Sequence, residues 1–185
     1  PVLLSILKAS GQFKANLEDS VTIGEVALDG MVRSVNGVLA LTITAAENGI
    51  KSIFVPKANA AEAAIVDGID VYGVENVKQV IDHLNGEKLI EKQQKTQTAE
   101  TANIKIPDFC DVKGQIAAKK ALEVAAAGGH NIILVGPPGS GKSMLAKRLP
   151  GILPEMTFEE SIETTKIHSI AGTLDSKSPF VNHRP

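Results

Sequence analysis

The sequence of 185 residues predicts an α/β protein with two domains. Segments with the apolar spacing of helices alternate with short β-branched runs, and this alternation is typical of the α/β class. Aromatic residues make up only 3% of the chain and tryptophan is absent, so the cores must be built mainly from Ala, Val, Ile and Leu. A polar stretch rich in Lys, Glu, Gln and Thr over residues 85–103 separates two such series of elements.

This polar stretch sets the expected domain boundaries. Its composition cannot bury enough apolar surface to offset the entropy of ordering the chain. We therefore expect a first domain over residues 1–86, a linker over 87–103 and a second domain over 104–185. The first third of this stretch has an equally good second interpretation. It could be a solvated extension, through Lys92, of the helix that ends the first domain.

The first domain is expected to open with a helix and a hairpin. Apolar residues at helical spacing in "PVLLSILKAS" predict a helix over this first segment, with Gly11 as its C-cap. Two β-rich runs, Val21–Leu28 and Met31–Val35, flank the dipeptide Asp29-Gly30, which is favoured in tight hairpin turns.

The remainder of the first domain repeats helix and strand. Gly49 and Pro56 mark two of the boundaries, because glycine ends helices and proline interrupts strands. The predicted elements are a helix over Val38–Asn48, a strand over Ser52–Val55, a helix over Ala60–Val66, a strand over Asp70–Tyr72 and a helix over Val74–Leu84.

The second domain is expected to lead from a helix into a buried strand. An Ala-rich helix over Gln115–Ala127 ends at Gly128-Gly129, and the apolar run Ile132–Val135 predicts the strand. Further on, Thr157 and Glu160 have the spacing of a capping box and predict the start of another helix.

The turn after the predicted strand carries a phosphate-binding motif. Gly136, Gly141, Lys142 and Ser143 satisfy G-x-x-x-x-G-K-[ST] between an apolar run and a helical segment, which is the context that this motif requires. The glycines let successive N–H groups face an anion, the lysine supplies a charge for the β and γ phosphates, and the hydroxyl of Ser143 can ligate Mg²⁺. The candidate ATP site comprises Gly136, Pro137, Pro138, Gly139, Ser140, Gly141, Lys142 and Ser143.

Composition and charge exclude several other classes. A net charge of −2 gives no general attraction to nucleic acid or anionic lipid, and no apolar run approaches the roughly 20 residues that span a bilayer. No signal sequence is apparent, so a cytoplasmic protein is the default expectation. Cys110, the only cysteine, cannot form an internal disulfide and is expected to be a structural thiol, and no Cys or His cluster has metal-ligand spacing.

With "DVKGQIAAKKALEVAAAGGHNIILVGPPGSGKSMLAKRLPGILP" and "IHSIAG" in view, the chain closely resembles the Mg-chelatase-like AAA+ ATPases of the ComM/YifB type. The resemblance implies a Lon-protease-like (S5-like) α/β domain, including "GEVALDGMVRSVNGVLALTITAAENGIKSIFVPKAN", followed by an AAA+ P-loop domain. It also implies that "DVKGQ" lies beside the adenine, which makes Val112 and Gly114 candidate base contacts. We interpret the start within a helix and the end at "NHRP" as truncations of a longer protein.

Two departures from the family patterns bear on activity. Leu39 and Leu41 stand where a Lon-like lysine is expected and Val2 where the serine is expected, so we expect no protease activity. The acids after Ser143 do not follow a four-residue apolar strand, so we expect the Walker B element that hydrolysis requires to be missing from the chain. These acids are Glu155, Glu159, Glu160, Glu163 and Asp175. The resemblance implies that the sensor and arginine-finger elements also lie beyond Pro185.

Three functions remain open. The resemblance implies a parent protein that uses ATP and Mg²⁺, forms a ring that is expected to be hexameric, and acts as a motor on DNA, in branch migration or DNA uptake. The alternative is a chelatase subunit that couples ATP hydrolysis to metal insertion or to other remodelling. A third interpretation makes the first domain an inactive protein-interaction module.

Overall fold

The computed structural model describes four ranges of the chain: 1–12, 17–96, 107–175 and 179–184. The chain forms two compact units, one of residues 1–100 and 162–181 and the other of residues 101–161 and 182–185. Part of the predicted linker, residues 97–103, lies outside the described residues.

The helices and strands are, in chain order, α1 (Val2–Ala9), β1 (Ser20–Thr22), β2 (Glu25–Val26), β3 (Val32–Arg33), α2 (Val38–Glu47), β4 (Ser52–Pro56), α3 (Ala60–Ala63), β5 (Asp70–Val74), α4 (Val77–Leu84), α5 (Ile116–Gly128), α6 (Lys142–Ala146) and α7 (Phe158–Ala171). Short 3-10 turns cover Lys57–Asn59, Phe109–Asp111 and Leu149–Ile152. No helix among these described residues is long and apolar enough to cross a membrane.

A three-stranded parallel sheet forms the centre of the first unit, in the order β1-β4-β5. Side chains of the middle strand alternate between the two faces of the sheet. Ile53 and Val55 pack in a core with residues of α2 and α3, whereas Phe54 packs with Leu4 of α1 and Val80 of α4. The predicted α/β class is confirmed by this sheet and its helices.

The predicted strand over Val21–Leu28 is wrong as a single element. Its first part is β1, which pairs with β4, and its later part is β2, which pairs antiparallel with β3 in the predicted hairpin. The break lies at Gly24, whose φ of +148° is rarely adopted by residues with a side chain. A Cβ atom there would lie 2.6 Å from the side chain of Val32, so close approach also requires glycine.

The other predicted elements of the first unit are confirmed with shifted ends. The helix predicted from Val74 starts at Val77, because Val74 still pairs in β5 and the Asn76 side chain caps the helix by accepting the N–H of Gln79 at 3.0 Å. The helix predicted over Ala60–Val66 contains only α3.

A helical extension through Lys92 is wrong, because α4 ends at Leu84. The chain after α4 stays hydrogen-bonded within the first unit. The N–H of Gln93 donates to the carbonyl of Val71 at 2.8 Å, and the N–H of Ile90 donates to Nδ1 of His83 at 2.9 Å. Residues 85–96 form no helix or strand, and these bonds attach them first to α4 and then to β5.

The second unit has a small core of Phe109, Val112, Leu122 and Leu145, joined by flanking apolar residues. The predicted helix before the phosphate loop is confirmed as α5, and Gly129 follows it in the left-handed conformation.

The predicted strand over Ile132–Val135 is wrong. Among the described residues no strand pairs with this segment, and a strand requires hydrogen bonds to a neighbour. Leu134 packs against the core, whereas Ile133 and Val135 are 84% and 87% exposed.

The capping box is confirmed at the start of α7. The N–H of Glu160 donates to Oγ1 of Thr157 at 3.2 Å, and the N–H of Thr157 donates to the Glu160 carboxylate at 3.0 Å. These two bonds satisfy donors that a helix start otherwise leaves without partners.

Candidate phosphate-binding site

The predicted phosphate loop connects the exposed segment that ends at Val135 to helix α6. Gly139 and Gly141 have φ values of +80° and +84°, in the left-handed region that glycine adopts without a steric penalty. Gly136 is favoured for another reason, because a Cβ atom there would lie 3.0 Å from Oγ of Ser140, which would have to move by a few tenths of an ångström. Each of the three glycines therefore permits a tight feature of the loop.

The side chain of Lys142 folds back across this loop. Its Nζ donates to the carbonyl oxygens of Gly136 and Pro137, both at 2.7 Å, and to Oγ of Ser140 at 3.2 Å. The ammonium group thus lies at the loop, held by three neutral acceptors. Leu145, on the same helix, is buried in the core of the second unit and anchors α6.

The loop also presents unused backbone donors. Within the described parts of the chain, no acceptor is bonded to the N–H groups of Gly141, Lys142 or Ser143. Ser143 is exposed, so its hydroxyl is open to solvent. Free N–H groups, an adjacent ammonium group and an accessible hydroxyl fit a phosphate group with a bound Mg²⁺ ion.

The structure brings the "DVKGQ" element to this loop through Gln115. Its Nε2 donates to the carbonyl oxygen of Ser140 at 3.3 Å. Gly114 is exposed with a φ of +70°, whereas Val112 is 2% exposed, packs in the core and accepts a hydrogen bond from Nζ of Lys119 through its carbonyl. The assignment of Val112 and Gly114 to the adenine stays a prediction.

Arg148 is a structural residue of this unit. It donates through Nε to the carbonyl of Asp108 at 2.9 Å and through Nη1 to that of Met144 at 3.1 Å, and it pairs with Asp111 at 3.5 Å. These partners hold the segment before α5 to the end of α6. Sequence spacing did not indicate them, because the acceptors lie up to 40 residues away.

Cys110 differs from the expected packed thiol because it is exposed. A hydrogen bond with the Asp108 carboxylate raises its pKa most, and weaker solvation of the thiolate and the negative charges of Asp108 and Asp111 raise it further. A raised pKa keeps the sulfur protonated near neutral pH, so Cys110 is not an activated nucleophile.

The described acids after the loop are not arranged as a metal site. Glu155, Glu159 and Glu163 are exposed, and Glu160 is engaged in the capping box and with Arg184 at 3.1 Å. Across the described ranges, no group of three Cys, His, Asp or Glu side chains is arranged to hold a metal ion.

The three positions at which the sequence departs from a Ser-Lys dyad differ in solvent exposure. Leu39 is buried, and its N–H donates to Oε1 of Glu62 at 2.9 Å. Leu41 and Val2 are exposed. None of these three side chains has a nucleophilic or basic atom, so the expectation that the first unit is not a protease stands as a prediction.

Comparison with known protein families gives two matches. A family model described as magnesium chelatase, subunit ChlI, matches residues 108–185, and a model described as subunit ChlI of Mg-chelatase matches residues 1–59.

Similar curated proteins align with both units. The competence protein ComM of Haemophilus influenzae is 39% identical over 174 residues, which are 92% of this chain and 34% of the relative. The uncharacterized protein YifB of Escherichia coli is 37% identical over 173 residues, 93% of this chain and 34% of the relative. An archaeal Lon protease of Halobacterium salinarum is 35% identical over 63 residues, 33% of this chain and 9% of the relative. The chain spans about one third of the length of its ComM and YifB relatives.

Proposed function

Because the chain belongs to the magnesium chelatase ChlI family, together with ComM- and YifB-like proteins, we propose that it is the ATP-binding portion of a AAA+ ATPase. The observation that carries this proposal is the loop from Gly136 to Ser143. It combines an ammonium group with backbone N–H groups that have no acceptor in the described chain. ATP and Mg²⁺ are the proposed ligands.

Three consecutive residues of the loop, Gly141, Lys142 and Ser143, have proposed roles in holding the phosphates. The N–H groups of Gly141, Lys142 and Ser143 donate to phosphate oxygens, and Nζ of Lys142 exchanges loop acceptors for the β and γ phosphates. This exchange is favourable because a charged acceptor makes a stronger hydrogen bond with an ammonium group than a carbonyl does. The Ser143 hydroxyl ligates Mg²⁺, and the ion neutralises phosphate charge when it is bound.

The adenine is proposed to lie beside the segment that contains Val112 and Gly114. Gly114 is at the surface and precedes Gln115, whose side chain reaches the loop. Val112, buried in the core, fixes the segment to the unit. We propose that Gly114 supplies the accessible backbone for the base and that Val112 holds it in place.

For the whole protein we propose a DNA-acting motor, in branch migration or DNA uptake. The similarity to a relative named as a competence protein supports this role, and the ComM/YifB resemblance implies a hexameric ring in which a neighbouring subunit completes the ATP site. The description of the matching family favours the second candidate, an ATP-driven chelatase subunit. The first unit, which we expect to lack a Ser-Lys dyad, is proposed to serve as an interaction module in either case.

The binding proposal is tested with the 185-residue chain and a fluorescent ATP analogue in the presence of Mg²⁺. Loss of a charged hydrogen bond costs about 1.5–3 kcal/mol, so Lys142→Ala is expected to weaken binding roughly 10- to 150-fold. Lys147→Ala is the matched control, because Lys147 is exposed at the other end of the same helix. Equal affinity of the Lys142→Ala variant and the unmodified chain would contradict the proposed role of the loop.

The motor proposal requires the full-length protein. ATP hydrolysis is measured with and without branched DNA, and the Lys142→Ala variant serves as a control for contaminating ATPases. Stimulation by DNA that this variant abolishes supports the motor. Turnover that is independent of DNA contradicts it and favours the chelatase or another remodelling role.

A further inference from the structure

Gln115 has an unusual backbone conformation. Its φ and ψ are +55° and +35°, and among the described residues it is the one non-glycine residue with positive φ. Steric repulsion between Cβ and the backbone makes this left-handed conformation unfavourable for glutamine. The residue directly precedes α5 and follows Gly114, which also has positive φ.

The side chain of Gln115 contacts the phosphate loop from a position 25 residues earlier in the chain. Its Nε2 donates to the carbonyl oxygen of Ser140. This oxygen belongs to the peptide group that joins Ser140 to Gly141. In a planar trans peptide the C=O and N–H bonds point in opposite directions. The bond from Gln115 therefore also determines where the N–H of Gly141 points.

The orientation of this peptide group matters because its two sides have opposite effects on an anion. The N–H of Gly141 attracts a phosphate oxygen, whereas the carbonyl of Ser140 repels it. Gly141 tolerates either sign of φ, so this peptide group has little steric resistance to reversal. A hydrogen bond that holds the carbonyl oxygen on the Gln115 side keeps the N–H available on the other side.

We propose that Gln115 is a positioning residue for nucleotide binding, which orients the peptide group between Ser140 and Gly141 so that the N–H of Gly141 faces the phosphates. The proposal rests on ATP binding at the loop and deepens it. It explains why a glutamine occupies a backbone conformation that favours glycine or asparagine: the longer side chain is what reaches the carbonyl of Ser140.

Two substitutions separate the amide group from the backbone conformation. In Gln115→Gly, the glycine adopts positive φ without strain and has no side-chain amide. In Gln115→Asn, the asparagine also tolerates positive φ, but its side chain is one methylene shorter, so its amide does not reach the carbonyl oxygen of Ser140. Loss of one net hydrogen bond predicts roughly a fivefold weaker affinity for the fluorescent ATP analogue in both variants. The unfolding midpoints of both variants are expected to equal or exceed that of the unmodified chain. Lys120→Ala, at an exposed position on α5 outside the candidate site, is the control and is expected to bind normally.

A second measurement reports the environment of the N–H of Gly141 directly. In ¹⁵N-labelled chain, the Gly141 amide resonance is expected to shift on titration with ATP·Mg²⁺, and this shift is expected to be reduced in Gln115→Gly. Affinity within twofold of the unmodified chain in either Gln115 variant overturns the positioning role. If the unmodified chain itself does not bind ATP, the proposed function fails. Binding that is lost in Lys142→Ala and kept in Gln115→Gly overturns the positioning role alone.

Discussion

The carboxylate of Glu62 accepts a hydrogen bond from the hydroxyl group of Ser169, which lies 107 residues later in the chain. The same carboxylate accepts the N–H of Leu39 at 2.9 Å and the side-chain amide of Asn59 at 3.1 Å. The carbonyl of Ser169 in turn accepts the N–H of Gly37 at 3.1 Å. The last turns of α7 are therefore bound to the beginning of α2 within the first unit, although they follow the phosphate loop in sequence.

Glu62→Ala is expected to destabilise the first unit. Glu62 is 8% exposed, and its removal leaves buried donors of Leu39 and Ser169 without an acceptor, at a cost of about 1–3 kcal/mol. Tyr72, the single tyrosine in a chain without tryptophan, reports urea unfolding of this unit through its fluorescence. Glu163→Ala, at an exposed position of α7, is the control. Equal midpoints for both variants would show that the buried carboxylate contributes nothing to stability.

Gly139→Ala is expected to weaken ATP binding through backbone strain alone. No atom lies within 4 Å of a Cβ atom added at Gly139, but its φ is +80°, where alanine costs about 1–2 kcal/mol. Gly86→Ala is the matched control, with a φ of +77° and the same open surroundings, but in the first unit. We expect Gly86→Ala to lower stability and leave ATP affinity unchanged. The prediction fails if the two variants bind ATP equally well.

The first unit is expected to become less stable as the pH is lowered, because His83 becomes protonated. Burial lowers the pKa of His83 below its ordinary value of 6.5, and its Nδ1 must be unprotonated to accept the N–H of Ile90. The unfolded chain binds the proton at higher pH than the folded chain does. The contribution of neutral His83 is therefore complete above about pH 6.5 and is lost as the pH falls through the lower folded-state pKa.

Urea midpoints from Tyr72 fluorescence at about pH 7.5 and about pH 5 measure this dependence. The variant His83→Phe keeps an aromatic ring beside Phe54 and Tyr72 but cannot titrate. A smaller change of midpoint with pH is expected in this variant. The same change in both proteins would assign the pH dependence to other groups.

The unpaired segment before the phosphate loop is expected to promote self-association of the 185-residue chain. Ile133 and Val135 expose apolar side chains on a segment whose backbone pairs with no strand in the described chain, and such segments are templates for pairing between molecules. Ile133→Lys is expected to reduce the apparent mass that light scattering records at high concentration. Ile167→Lys, at an exposed apolar position on α7, is the control and is expected to have little effect. An equal reduction in both variants would point to general hydrophobicity.

Much of the local structure is predictable from the sequence because its causes act over a few residues. The capping box of Thr157 and Glu160 involves residues three apart, and Gly49 and Gly129 follow the helices α2 and α5 with the positive φ expected after a helix. The phosphate motif is equally local, since its glycines and its lysine lie within eight residues. These features therefore determine where most helices end and where the candidate site lies.

The tertiary structure alone decides the features that depend on distant partners. The run Ile132–Val135 has the composition of a buried strand, but a strand forms only where a neighbouring strand accepts its hydrogen bonds. The bond from Gln115 to Ser140 and the bond from Ser169 to Glu62 join residues 25 and 107 positions apart, and no local pattern specifies either pair. The sequence by itself thus determined the local elements and the phosphate motif, whereas folding decided which acceptor each distant donor meets.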